Sequence, residues 1–169
     1  MNRYLFFFII VLFIGCDKTE DNIFTQTPDE RLKATADEYR EALFSAPNGW
    51  FLAVDTRKDG AYRLWMSFEE NERVGMLSDM DATFSKAGET SVVPCISSWR
   101  LKALLAPSLI FDTYSYLHIL ADPQGANNGG SNSEGLISDF EFRIVDTDNG
   151  GINLIGNYNG RLARMDRAT

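Results

Sequence analysis

Three regimes of hydrophobic patterning divide this chain. Leu5 to Ile14 is an unbroken apolar run, apolar residues then recur every three or four positions from Leu32, and from Trp50 onward they alternate with polar ones. The middle regime is a helix with a marked start. Thr27 can cap it, Pro28 suits its first position, and Glu30 completes a capping box. Leu32, Ala36, Tyr39 and Leu43 then form one apolar stripe to about Ser45, where Pro47-Asn48-Gly49 turns the chain.

The alternating regime predicts strands. Trp50 to Asp55 is the first, and Lys58-Asp59-Gly60 is a turn. In Ala61 to Glu69, Tyr62, Leu64, Met66 and Phe68 share one face, and Ala61, Arg63, Trp65, Ser67 and Glu69 share the other. Arg73 to Leu77 makes a third strand, and Asp79 to Ser91 is polar and loop-like. Ser97 to Leu104 and Ser108 to Phe111 are further strands, Thr113 to Leu120 suits a short helix or a turn, and Pro123 to Gly135 reads as a flexible surface loop. Asp139 to Asp146 and Gly151 to Gly156 flank the hairpin signal Asp148-Asn149-Gly150. Leu162 to Met165 adds an edge strand. The fold class is α+β: one amphipathic helix packed on an antiparallel, meander-type sheet of about seven strands that could close into a barrel.

The leading apolar run has a different meaning. A helix over Leu5 to Ile14 spans about 15 Å, roughly half of a bilayer's hydrocarbon core, so it does not cross a membrane. Basic Arg3 precedes it and Gly15-Cys16 follows, the order of a secretory signal peptide cut before a cysteine. Residues 1–15 are thus expected to be a lipoprotein signal peptide, 16–26 a polar tether, and 27–169 a single domain. Phe13 departs from the leucine usual in such a box. Cys16 is the expected lipid-attachment residue, carrying a diacylglycerol on sulfur and an acyl group on nitrogen, which suffices for stable anchoring.

Composition narrows the partners. The net charge of −8 opposes nucleic acid and anionic headgroups, so no nucleic-acid partner is expected. With Cys16 committed to lipid, Cys95 has no partner for an intramolecular disulfide, and its apolar setting Val92-Val93-Pro94-Cys95-Ile96 suits a buried, unreactive thiol.

Several strings in order resemble one family. Glu30-Arg31-Leu32 with Tyr39 and Leu43, Ser45-Ala46-Pro47-Asn48-Gly49-Trp50, and Phe111-Asp112-Thr113-Tyr114 are followed by Leu117-His118, Ala121-Asp122-Pro123 and Ser138-Asp139-Phe140-Glu141-Phe142. With the box at Cys16, the chain from about Glu30 to Met165 is similar to the Bacteroidota lipoproteins of domain of unknown function (DUF) 4302. The resemblance implies an uncharacterised lipoprotein encoded beside outer-membrane nutrient-uptake systems, with no catalytic residue to carry over. Acidic Asp17, Glu20 and Asp21 after the cysteine resemble an export signal for the outer leaflet, and a plain polar linker explains them equally well. Family members often continue into a second half, so this chain is expected to be a truncated or minimal member.

No reactive constellation stands out. His118 is the single histidine and is expected to be structural. Asp79 with Asp81 could in principle form a carboxylate pair, but 24 acidic residues make chance pairs common. Asp146 to Gly151 is a poor calcium loop, because Gly150 and Asn157 fall where ligands are needed. The glycines from Gly125 to Gly135 lack the Lys of a phosphate loop. No catalytic residue, metal or cofactor is therefore expected. Trp65 and Arg63 are the candidate contacts for a ligand or partner, because an indole among hydrogen-bonding groups suits sugar stacking or a protein interface. The commoner fate of such a tryptophan is coverage by the 22–45 segment or by a loop, as ordinary core. The expected role is a non-catalytic, lipid-anchored envelope protein assisting nutrient capture from glycans, at the outer membrane; the alternative is a structural subunit docked on an outer-membrane transporter.

Cys16→Ser removes the only sulfur the thioether can use, and is expected to block lipidation and the cut that follows. Mass spectrometry of the wild-type amino terminus should show an acylated Cys16; a mature start elsewhere would contradict this assignment.

Overall fold

The computed structural model of the protein describes residues 26–80, 94–103 and 106–169. The expected signal peptide, Cys16 and most of the polar stretch after Asp79 lie outside the described residues.

Helix α1 spans Pro28–Phe44. Its start follows the sequence signal: the Thr27 hydroxyl accepts the Glu30 N–H at 3.3 Å and the Glu30 carboxylate accepts the Thr27 N–H at 2.8 Å. That backbone donor holds the Glu30 carboxyl below its usual range. Ala36 and Leu43 of the apolar stripe are buried, and Tyr39 packs against the core from its edge.

Eight antiparallel strands follow: β1 (Trp50–Asp55), β2 (Ala61–Phe68), β3 (Arg73–Ser78), β4 (Cys95–Ala103), β5 (Pro107–Phe111), β6 (Glu141–Asp148), β7 (Gly151–Gly156) and β8 (Leu162–Arg167). Each pairs with the next, and β8 returns to β1, with Leu52 opposite Met165 and Val54 opposite Ala163. The sheet is a closed up-and-down barrel. Leu162 to Met165 is therefore part of a closing strand, not an edge, and the count is eight where the sequence pattern suggested about seven.

Period-2 alternation decides what lies inside. Trp50, Leu52, Leu64, Met66, Val74, Met76, Trp99, Leu109, Phe111, Phe142, Leu154 and Met165 are all buried in one core cluster. An eight-stranded barrel is just wide enough for side chains to fill it, so these residues make a packed interior. The outer wall carries Asp55, Arg63, Arg143, Arg164 and Asp166, and the strands are five to nine residues long. The same wall also exposes Phe51, Ile96, Val145 and Leu162, so it is mixed where the outer band of a membrane-spanning barrel is apolar. No described helix is long and apolar enough to cross a membrane.

Both ends are stoppered by the chain. At the end where β1 begins, the Trp50 indole N–H donates to the Leu43 carbonyl at 2.9 Å. Phe44 and Phe68 meet the Trp99 ring edge-on, at 5.7 and 5.0 Å between centroids. The Arg167 guanidinium lies 5.2 Å over the Trp50 ring and donates to the Ser45 carbonyl and hydroxyl, fastening the last strand to the helix end.

The opposite end is filled by residues 112–140. Here α2 (Tyr116–Ala121) buries Tyr116, Leu117, Ile119 and Leu120. The Pro123–Gly135 segment, expected as a surface loop, lies largely at the surface and is folded into hydrogen-bonded turns. Buried Asn128 donates to the Ile119 and Asp122 carbonyls and accepts the Gly130 N–H. Gly125 and Gly135 are close-approach positions, where a Cβ would strike the Gly130 and Asp122 carbonyls.

A buried carboxylate fixes the β7–β8 turn. Asp139, 1% exposed, accepts N–H bonds from Tyr158, Asn159 and Arg161 at 3.0, 2.8 and 3.1 Å. Gly156 makes room for it, since a Cβ there would collide with that carboxylate. Asp139→Ala orphans three donors and is expected to cost about 2–4 kcal/mol. Asp139→Asn keeps one acceptor and should cost less. Urea denaturation measures both; an alanine variant within about 0.5 kcal/mol of wild type would contradict this role.

Candidate functional site

With the barrel interior filled, the concave surfaces lie outside it. One of them, a cleft of about 680 Å³, runs along the outer wall of β8, β1, β2 and β3. Antiparallel register builds it. Leu77 lies opposite Trp65, Trp65 opposite Phe51, and Phe51 opposite Asp166, so four outward side chains form one row across four strands. In the neighbouring row Arg63 and Arg164 flank Ala53.

The two residues singled out from sequence, Arg63 and Trp65, thus share this cleft. Trp65 is not covered as core, contrary to the commoner expectation for it: its side chain faces outward and is half-buried. The reason is where the helix goes. Trp99 and Trp50 draw α1 to the barrel end and toward β4 and β5, so that among the described residues it does not lie over the β1–β3 wall.

Trp65 is held firmly. Its indole N–H donates to the Asn48 carbonyl at 2.8 Å, and its ring lies against Gly49, where a Cβ would come within 3.0 Å of ring atoms. Gly49 has φ +81°, which glycine adopts without strain. Phe51 beside it is 50% exposed. Sequence reasoning missed Phe51, Leu77 and Asp166; the available signal was their outward phase beside inward Trp50, Met76 and Met165.

The polar rim is uneven. Asp79 accepts the Arg63 N–H through Oδ1 at 2.9 Å and returns its own N–H to the Arg63 carbonyl at 3.1 Å. Asp166 accepts Arg164 Nε through both oxygens, at 2.9 and 3.2 Å. Arg164 also donates to Asp148 and to the Asn153 side-chain oxygen, and that bond to Arg164 holds the Asp148 carboxyl below its usual range. Asp148 thereby anchors a hairpin, with Asn149 and Gly150 at φ 46° and 80° as a type I′ turn requires.

The remaining sequence candidates lie elsewhere. Asp81, the proposed partner of Asp79, is outside the described residues. Cys95 is half-buried rather than fully buried, with its sulfur 4.0 Å from the Tyr114 carbonyl. No group of three His, Cys, Asp or Glu side chains among the described residues is placed to hold a metal.

His118 sits in a row of rings at the barrel end: 5.7 Å from Tyr114, stacked 4.3 Å on Phe140, which is 6.0 Å from Tyr158. Its Nδ1 accepts the Ser115 N–H at 3.2 Å, which requires that nitrogen to be unprotonated. Burial pushes the imidazole below its ordinary value, against the opposing pull of Asp112.

The folded state therefore takes up this proton less readily than the unfolded chain. Its stabilising contribution is complete above about pH 6.5 and falls away as pH drops through the lower folded value. Denaturation midpoints of wild type should fall between pH 7.5 and 5.5 more steeply than those of His118→Phe. Parallel slopes would contradict this placement of the ring.

No curated protein and no solved structure matches this chain. One family model does, and it spans residues 20–169, which include the described barrel and both of its stoppers. The chain belongs to the family described as Domain of unknown function (DUF4302).

Proposed function

We propose that this protein is a non-catalytic, lipid-anchored envelope protein that captures carbohydrate on the outer wall of its barrel, in support of nutrient uptake. The observation that carries this reading is the Phe51–Trp65 pair in the outer-wall cleft, with Arg63 and Asp79 beside it. Two apolar rings side by side suit the C–H faces of a sugar, and nearby charged groups suit its hydroxyls. Trp65 gains from having its N–H already bonded to Asn48, since a rigid ring loses little entropy when a ligand arrives. The expected lipid at Cys16 would hold this wall near the membrane, where a transporter could receive the captured ligand.

The second reading is a subunit that docks on an outer-membrane transporter. It is favoured by Tyr114 and Tyr158, 49% and 68% exposed at the two ends of the aromatic row. Tyr158 stands on the turn that Asp139 pins, and rigid exposed tyrosines are the usual anchors of protein interfaces.

Titration calorimetry of the soluble domain against a panel of oligosaccharides tests the first reading. Binding is expected, and Trp65→Ala should weaken it about tenfold or more. Absence of binding at millimolar ligand would overturn it. Cross-linking in cells followed by pull-down, with and without Tyr158→Ala, tests the second; recovery of a transporter only from the unaltered protein favours docking.

A further inference from the structure

The cleft's uncommitted polar groups indicate which sugars it fits, given the carbohydrate reading above. Asp166 has both oxygens engaged by Arg164. Asp79 engages Oδ1 with the Arg63 amide, and Oδ2 has no partner among the described residues. The Arg63 guanidinium makes no hydrogen bond or ion pair among the described residues, although it lines the same cleft. Beside the two rings, then, stand one set of donors and one acceptor that no described residue engages.

We infer that the ligand is a neutral pyranose stacked on Trp65 and Phe51, two adjacent hydroxyls of which are shared between Arg63 and Asp79. Each hydroxyl both donates and accepts, so an adjacent pair can offer a lone pair to the guanidinium and a proton to the carboxylate. Hydrogen bonds with one charged partner are the stronger kind, and both would form in a half-enclosed cleft. An acidic sugar's carboxylate could pair with Arg63, but it would then stand beside Asp79 on a chain of net charge −8 and offer that carboxylate no proton. An amino sugar's ammonium could pair with Asp79, but it would then stand beside Arg63 and offer that guanidinium no acceptor. A neutral sugar avoids both repulsions.

The experiment is calorimetry on the soluble domain with three probe sets. These are neutral glucose, mannose and galactose oligosaccharides, galacturonate oligomers, and protonated glucosamine oligomers. The neutral set should bind at least about tenfold more tightly than either charged set. Asp79→Asn, which keeps the oxygen that accepts the Arg63 amide, and Arg63→Gln should each lose about tenfold. With the unaltered protein, deoxy derivatives of the best neutral sugar should lose a similar factor at two adjacent positions only. That arm decides the matter even where a variant folds poorly, and on Asp79→Asn one of those two losses should disappear. Tighter binding of galacturonate or glucosamine oligomers would overturn the ligand class. So would deoxy losses at no adjacent pair of positions. If such binding still depended on Trp65, the carbohydrate reading would stand. Failure of all three sets to bind would overturn both.

Discussion

Eight short strands can be stable together only if no edge is left open and the space they enclose is filled. Trp50 is where this chain meets both demands at once. Its ring fills the mouth of the barrel, its N–H fixes the end of α1, and Arg167 of the closing strand lies across it. Fully burying a large apolar side chain contributes roughly 1.5–3 kcal/mol relative to leaving it exposed, and here the same burial aligns the first and last strands. The compact end segment around Asn128 and the turn pinned by Asp139 complete the closure from the other side.

A full interior has a functional consequence. Barrels of this strand number that hold ligands keep a cavity open at one mouth. Here both mouths are occupied by the chain, and the inward positions carry tryptophan, phenylalanine and methionine. The proposed binding is accordingly assigned to the wall and the rims. On the wall, the half-buried Trp65 ring and the exposed Phe51 ring share a cleft with Arg63, Asp79 and Asp166. The lone histidine, by contrast, is held among rings by Ser115 and contributes to the packing of the barrel end.

The sequence made most of the strands legible, because their inward and outward residues alternate cleanly. The Tyr62–Phe68 phase placed Trp65 on the outer face correctly. What covers that face was not legible, since it depends on which tryptophan receives the helix, and Trp99 lies more than fifty residues downstream of Phe44. Closure was hidden for the same reason: the Leu162–Arg167 strand pairs with Trp50–Val54, a contact with no local signature. The Pro123–Gly135 segment is folded into turns that its composition hides. Its order comes from one asparagine side chain and from glycines chosen for close approach, neither of which leaves a periodic trace. The Tyr116–Ala121 helix is apolar on nearly every side, so periodicity could not separate it from a turn.

The barrel is a solid core, and the proposed binding happens on its wall. Nuclear magnetic resonance tests it most directly, using methyl-labelled methionine as interior reporters and backbone amides as wall reporters. Met66, Met76 and Met165 are fully buried and point inward, whereas Phe51, Arg63, Trp65 and Asp79 line the outer cleft. Titration with a bound oligosaccharide should move the amide signals of the wall residues and leave the three methyl signals in place. Displaced methionine methyls with unmoved wall amides would mean that the interior opens to ligand, and the account would fail.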